Sequence, residues 1–93
     1  MLVLTPRDRV LEILGEVWPQ RRYAFDIARE MESTVQLVTG QLRRLERIGF
    51  VERQPGSSAG WRWRVTARGY LAYRDMVEDT ISLVSKTRPT DRL

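Results

Sequence analysis

Apolar residues fall at helical spacing along most of the chain and switch to strict alternation in one short stretch past its middle. Val10, Leu11, Ile13, Leu14, Val17 and Trp18 form a broad stripe at the spacing of one buried helix face. Thr5 precedes it as a cap, Pro6 suits the first turn, Asp8 follows three residues after the cap, and Pro19 is expected to end the helix. Trp18, at the end of the stripe, is assigned to the core. Residues 21–23 read as a connection, and a second helix is expected over 24–31 with Phe25, Ile27, Ala28 and Met31 on its buried side. Ser33 or Thr34 then caps a third helix in which Val38, Leu42, Leu45 and Ile48 recur at steps of four, three and three, before Gly49 stops it.

After Gly49 the period changes to two. Phe50 and Val51 begin an extended run, PGSSAG at 55–60 is turn material, and Trp61-Arg62-Trp63-Arg64-Val65 alternates as a half-buried strand does. The tryptophans lie on one side of that strand and the arginines on the other. Thr66 caps a fourth helix over 67–84, along which Tyr70, Tyr73, Val77, Ile81 and Val84 recur at steps of three and four, broadened by Leu71 and Met76. That stripe is longer than one small core can cover, which points to a second copy of the chain as its partner. The expectation is a mostly α fold with a small two-stranded β-hairpin: a three-helix unit with its hairpin at 1–66, a dimerisation helix at 67–85, and a fraying tail at 86–93.

Ninety-three residues suffice for one modest core, and 42% hydrophobic with 30% charged residues is an ordinary soluble balance. No apolar run approaches the roughly 20 residues of a membrane span, and Leu2-Val3-Leu4 is too short for a secretory segment, so a cytoplasmic protein with no membrane partner is expected. Cysteine and histidine are absent, which removes disulfides, thiolate chemistry and the usual soft or imidazole metal ligands; no metal and no cofactor is expected. The placement of charge is more telling than its total. Between positions 43 and 68 seven arginines face only Glu46 and Glu52, a balance of +5, while the rest of the chain carries a balance of −1. A basic helix end running into a basic ribbon has the electrostatic footprint of a nucleic-acid binder, although a solvated helix face and hairpin would give the same count.

The segment from Ile27-Ala28-Arg29-Glu30-Met31 through Leu42-Arg43-Arg44-Leu45-Glu46-Arg47-Ile48-Gly49-Phe50-Val51-Glu52-Arg53 resembles the helix-turn-helix and first wing strand of winged-helix transcription regulators. Ala24-Phe25-Asp26-Ile27-Ala28 further resembles a stretch of the PadR-like group. Trp63-Arg64-Val65-Thr66-Ala67-Arg68-Gly69 is similar to the segment that closes the wing in PadR and MarR relatives. The resemblance covers about residues 6–84, with PadR-like as first choice and MarR-like as the next. It implies a winged helix-turn-helix fold, DNA binding, and dimerisation through terminal helices.

On that reading the third helix enters a major groove. Thr34, Gln36, Thr39 and Gln41 would read base edges; Arg43, Arg44, Arg53, Arg62 and Arg64 would hold phosphates or the adjacent minor groove; Tyr70, Tyr73, Val77, Ile81 and Val84 would form the dimer seam. The start of the third helix departs from the family pattern, since no cation precedes Arg43 and Gly40 interrupts it. Gly40 costs roughly 1 kcal/mol against Ala, and either close approach of a phosphate backbone or crowding against a neighbouring helix would account for it. The leading function is a homodimeric, sequence-specific double-stranded DNA-binding regulator that represses by occupying a promoter. A winged-helix protein–protein interaction module, favoured by the apolar and uncharged start of the third helix, and a single-stranded nucleic-acid binder using the Trp/Arg wing stand beside it. An enzyme is not expected, because no His, Cys, paired carboxylate or phosphate-cradling glycine loop is present. Nothing indicates a small-molecule effector; at this length one would have to bind within the dimer interface.

Overall fold

A computed structural model of the chain describes residues 4–56 and 60–87, without the side chains of residues 80–87. Its elements run α1 (Pro6–Glu16), β1 (Arg22–Tyr23), α2 (Ala24–Met31), α3 (Val35–Arg47), β2 (Val51–Pro55), β3 (Trp61–Val65) and α4 (Ala67–Thr87). One capping device recurs at three of the four helix starts. The hydroxyls of Thr5, Thr34 and Thr66 accept from the backbone N–H three residues on, at 3.1, 3.2 and 3.0 Å, and so satisfy an amide that the helix leaves without a partner. The stops are as local. Beyond α3, Phe50 N–H donates to Leu45 C=O and Gly49 N–H to Glu46 C=O, with Gly49 at φ +83°. The turn between α2 and α3 repeats this pattern with Glu32 in the left-handed region at φ 54°.

Three helices and the sheet close over one core, in which Ile13, Leu14, Ile27, Leu42, Leu45, Val10, Val38 and Val65 are fully enclosed. The sheet has three antiparallel strands in the order β1-β3-β2. Arg22 and Tyr23, expected as a bare connection, form its short third strand by pairing with Trp63 and Arg62. Two residues carry no readable period, which is why the sequence alone does not show them as a strand. In the hairpin, Val51 faces Val65, Glu52 faces Arg64, Arg53 faces Trp63 and Gln54 faces Arg62. Val51, Arg53, Trp61, Trp63 and Val65 therefore share the sheet face towards the helices, and Glu52, Gln54, Arg62 and Arg64 share the other.

Several side chains expected in the core lie outside it. Trp18 follows the end of α1, is 43% exposed and stacks on Tyr70 at 4.6 Å, because the helix stops at Glu16 and no longer aims its ring inward. Phe25 is exposed and stacks on Tyr23 instead. Ile48 is 41% exposed; it is the C-cap of α3, and beyond Arg47 the helical spacing no longer governs its direction.

Helix α4 is anchored by close approach. A Cβ on Gly69 would fall 1.9 Å from the Phe50 carbonyl oxygen, and one on Gly15 would fall 2.3 Å from the Tyr73 ring. Thr66 adds a latch, its hydroxyl donating to Gly49 C=O at 2.7 Å while its N–H donates to Phe50 C=O. Tyr73 thus packs on α1, where burial first, and then the charge of Glu16, push its phenol above the usual tyrosine range. Helix α4 reaches Thr87, into the stretch expected as a tail; residues 88–93 lie outside the described residues.

Candidate nucleic-acid interface

The buried line of α3 is Val38, Leu42 and Leu45. At about 100° per residue, Gln36, Gly40, Arg43 and Arg47 fall within an arc of about 60° on the side directly opposite. All four are exposed, so they form the outermost ridge of the helix. Arg47, absent from the interface expected from sequence, belongs to this ridge, standing seven residues after Gly40 and four after Arg43. Thr39 and Gln41 sit on the two flanks of the ridge and are half-buried. Thr34 lies before the helix with its hydroxyl accepting from Leu37 N–H. Gly40 has open space where a Cβ would be, so crowding against a neighbouring helix does not account for it.

Val35 and Leu37, both exposed, are about 200° apart around α3 and do not merge into an apolar patch. Gln41 and Arg44 instead face the start of α1, lining with Thr5, Pro6 and Arg7 a groove of about 260 Å³. Arg7 is a second cation that sequence spacing could not place here, because α1 and α3 are brought together only by tertiary packing.

The arginines fall into three states. Arg43, Arg44 and Arg47 make no ion pair with the described residues. Arg53 is engaged twice: its Nε lies 3.2 Å from Glu46 of α3, and its guanidinium sits 4.5 Å from the centre of the Trp61 ring and 5.9 Å from that of Trp63. It ties the hairpin to α3. Arg64 Nε donates to Glu52 at 2.5 Å. Arg62 is half-buried and has an enclosed Nε with no hydrogen-bond partner. Trp63 is 2% exposed and belongs to the core, whereas Trp61 is 45% exposed.

The dimer candidates are likewise divided. Tyr70 and Tyr73 are covered inside the protomer, by Trp18 and by Gly15. Val77 is half-buried, and the side chains of Ile81 and Val84 lie outside the described residues.

A helix-turn-helix whose second helix presents a polar ridge beside a basic hairpin is the arrangement of winged-helix regulators, and the MarR family model matches residues 6–58. The chain belongs to the MarR family. The PadR-like resemblance, the first choice from sequence, gains no support from a family match; the second choice does. Solved structures of the same fold include an apo ZitR mutant of Lactococcus lactis, with TM-score 0.73 and 16% identity over 87% of this chain and 61% of that one. Streptococcus pneumoniae FabT in complex with DNA gives 0.74 and 21%, over 90% of this chain and 59% of that one. MepR, a transcription regulator of the multidrug efflux pump MepA of Staphylococcus aureus, gives 0.76 and 20%, over 97% and 70%. This MarR-family chain thus spans about six tenths of the length of the ZitR and FabT structures. No protein of curated function matches it. Among the described residues no helix is long and apolar enough to cross a membrane.

Proposed function

We propose that this chain is a homodimeric, sequence-specific double-stranded DNA-binding repressor without enzymatic activity. The observation that carries the reading is the ridge of α3: four outward positions, two of them arginines without ion pairs, next to a hairpin held at a set angle by Arg53 and Glu46. Gln36 reads base edges from the ridge and Thr39 from its flank, Thr34 fixes the helix start that delivers them, and Gln41, turned towards α1, is left out of base reading. Arg7, Arg44 and Arg47 hold phosphates on either side of the helix. Arg62 adds a wing contact, because swinging outward costs it no existing hydrogen bond, while Arg53 and Arg64 would have to abandon theirs.

The two other readings have less support. Val35 and Leu37 point to different sides, so α3 lacks the contiguous apolar face that a protein groove would need. Trp63 is enclosed and Trp61 has Arg53 over its ring, which leaves the wing without a pair of open rings for stacking single strands.

Selection of bound duplexes from a random pool tests the proposal, and a motif of two half-sites about one helical turn apart is expected. With four phosphate-binding arginines in each protomer, the logarithm of affinity should fall against that of salt with a slope of about −7. A pool without enrichment together with salt-insensitive binding would sink the reading, and enrichment of single strands alone would return it to the tryptophan wing.

A further inference from the structure

Each of the other five glycines has a physical reason within the fold. Side chains at 15, 56 or 69 would collide with Tyr73, Tyr23 or Phe50, and Gly49 and Gly60 adopt φ of +83° and +98°. Gly40 has neither reason: its conformation is that of the surrounding helix, and a Cβ there would meet nothing within 4 Å. A glycine inside a helix is disfavoured relative to alanine, since the unfolded chain gains freedom that folding must remove. It stands on the exposed ridge almost directly opposite the buried line, one turn after Gln36 and one turn before Arg43. The gap therefore opens outward, at the place where a groove-bound helix comes nearest to its ligand.

We infer that α3 meets double-stranded DNA through its own backbone at Gly40, the missing side chain letting the helix axis settle closer to the base edges while Gln36 and Arg43 reach down on either side. This rests on the DNA-binding reading and adds a contact mode to it. Gln36 and Arg43 are about 10 Å apart along the helix, roughly three base-pair steps. At the closer approach that Gly40 allows, Arg43 is within reach of a guanine edge and Gln36 of an adenine edge, the pairings their geometry favours. A side chain at position 40 would hold both off the bases at once. Arg43 then serves recognition, and the phosphate contacts fall to Arg7, Arg44, Arg47 and, at the wing, Arg62.

Stability and binding should consequently respond to one substitution with opposite signs. Wild type, Gly40→Ala and Gly40→Leu are compared by thermal melting and by fluorescence anisotropy on two labelled probes, a duplex recovered from the random pool and the unselected pool itself. Gly40→Ala should melt about 4–8 °C higher. It should bind the recovered duplex about tenfold more weakly, lose less on the unselected pool, and keep its salt slope because no charge has changed. Gly40→Leu should bind more weakly still. If Gly40→Ala binds the recovered duplex as tightly as wild type, the inference is overturned. A melting temperature at or below that of wild type overturns it too, since the glycine would then serve the fold. Should the leucine variant misfold, the alanine variant decides alone. Wild type that binds neither probe removes the DNA reading and this inference together, which is distinct from wild type and Gly40→Ala binding alike.

Discussion

Arg62 and Arg64 share one strand, one sheet face and one charge, yet they stand in opposite states. Arg64 is held by Glu52, whereas the Nε of Arg62 is enclosed without an acceptor. The difference lies across the hairpin, where the register sets a carboxylate opposite one arginine and Gln54 opposite the other. Arg53 is a third case, fixed between Glu46 and the Trp61 ring. Alanine at these positions should separate the roles. Arg62→Ala should flatten the salt slope by about 2 per dimer. Arg53→Ala should leave that slope unchanged, weaken binding by loosening the wing, and lower stability by about 1 kcal/mol, since a surface ion pair and a cation–π contact are each modest. Salt titrations and denaturant melts of the two variants check this. Equal slopes for both would place Arg62 among the structural arginines.

At the scale of elements, the join between wing and α4 is set by the hydrogen bonds of Thr66 and a close backbone approach at Gly69. Thr66 accepts from Gly69 N–H and donates to Gly49 C=O, so one hydroxyl caps a helix and secures the turn that ends another. That geometry brings Gly69 so close to the Phe50 carbonyl that any Cβ must displace backbone. Gly69→Ala is expected to cost about 3 kcal/mol, at the upper end for overpacking because no flexible side-chain tip can yield. Urea denaturation measures it, and a loss below that of an ordinary surface substitution would show that the turn can give way. The contrast with Gly40→Ala is direct: the same substitution in two helices is expected to act with opposite sign, because one site is packed and the other open.

For the whole molecule, the arrangement of α4 bears on assembly. In its first two turns Tyr70 and Tyr73 are engaged within the protomer, against Trp18 and Gly15, while Leu71 stays exposed. A dimer seam would accordingly be built from Val77 onward, on the part of the helix that extends to Thr87. Light scattering at micromolar concentration should return about twice the 10.9 kDa chain mass. Val77→Glu together with Ile81→Glu should convert it to monomer by placing charges in a buried seam, while a substitution at Tyr73 should act on folding instead. Persistent monomer for the wild-type chain at high concentration would refute the dimer, and with it the two half-sites expected in the selected duplex.

The sequence by itself determined what depends on neighbours along the chain. Threonine caps, glycine stops and the switch from a period near 3.6 to a period of two are local, and the four helices and the hairpin follow from them. The +5 charge balance of residues 43–68 was visible in the same way, as was the alternation that sends Trp63 to the core and Arg62 to the other face. Tertiary structure decided which residues meet across the chain. Strand β1 exists only because β3 offers it hydrogen bonds; Arg7 joins Arg44 because α1 and α3 pack together; Arg53 turns from a free cation into a tie because Glu46 and Trp61 converge on it. Exposure of Trp18, Phe25 and Ile48 was decided there as well, since an apolar residue at a helix end is enclosed only if another element arrives to cover it. Periodicity records which side of an element faces inward, but not how far along that element the covering neighbour extends.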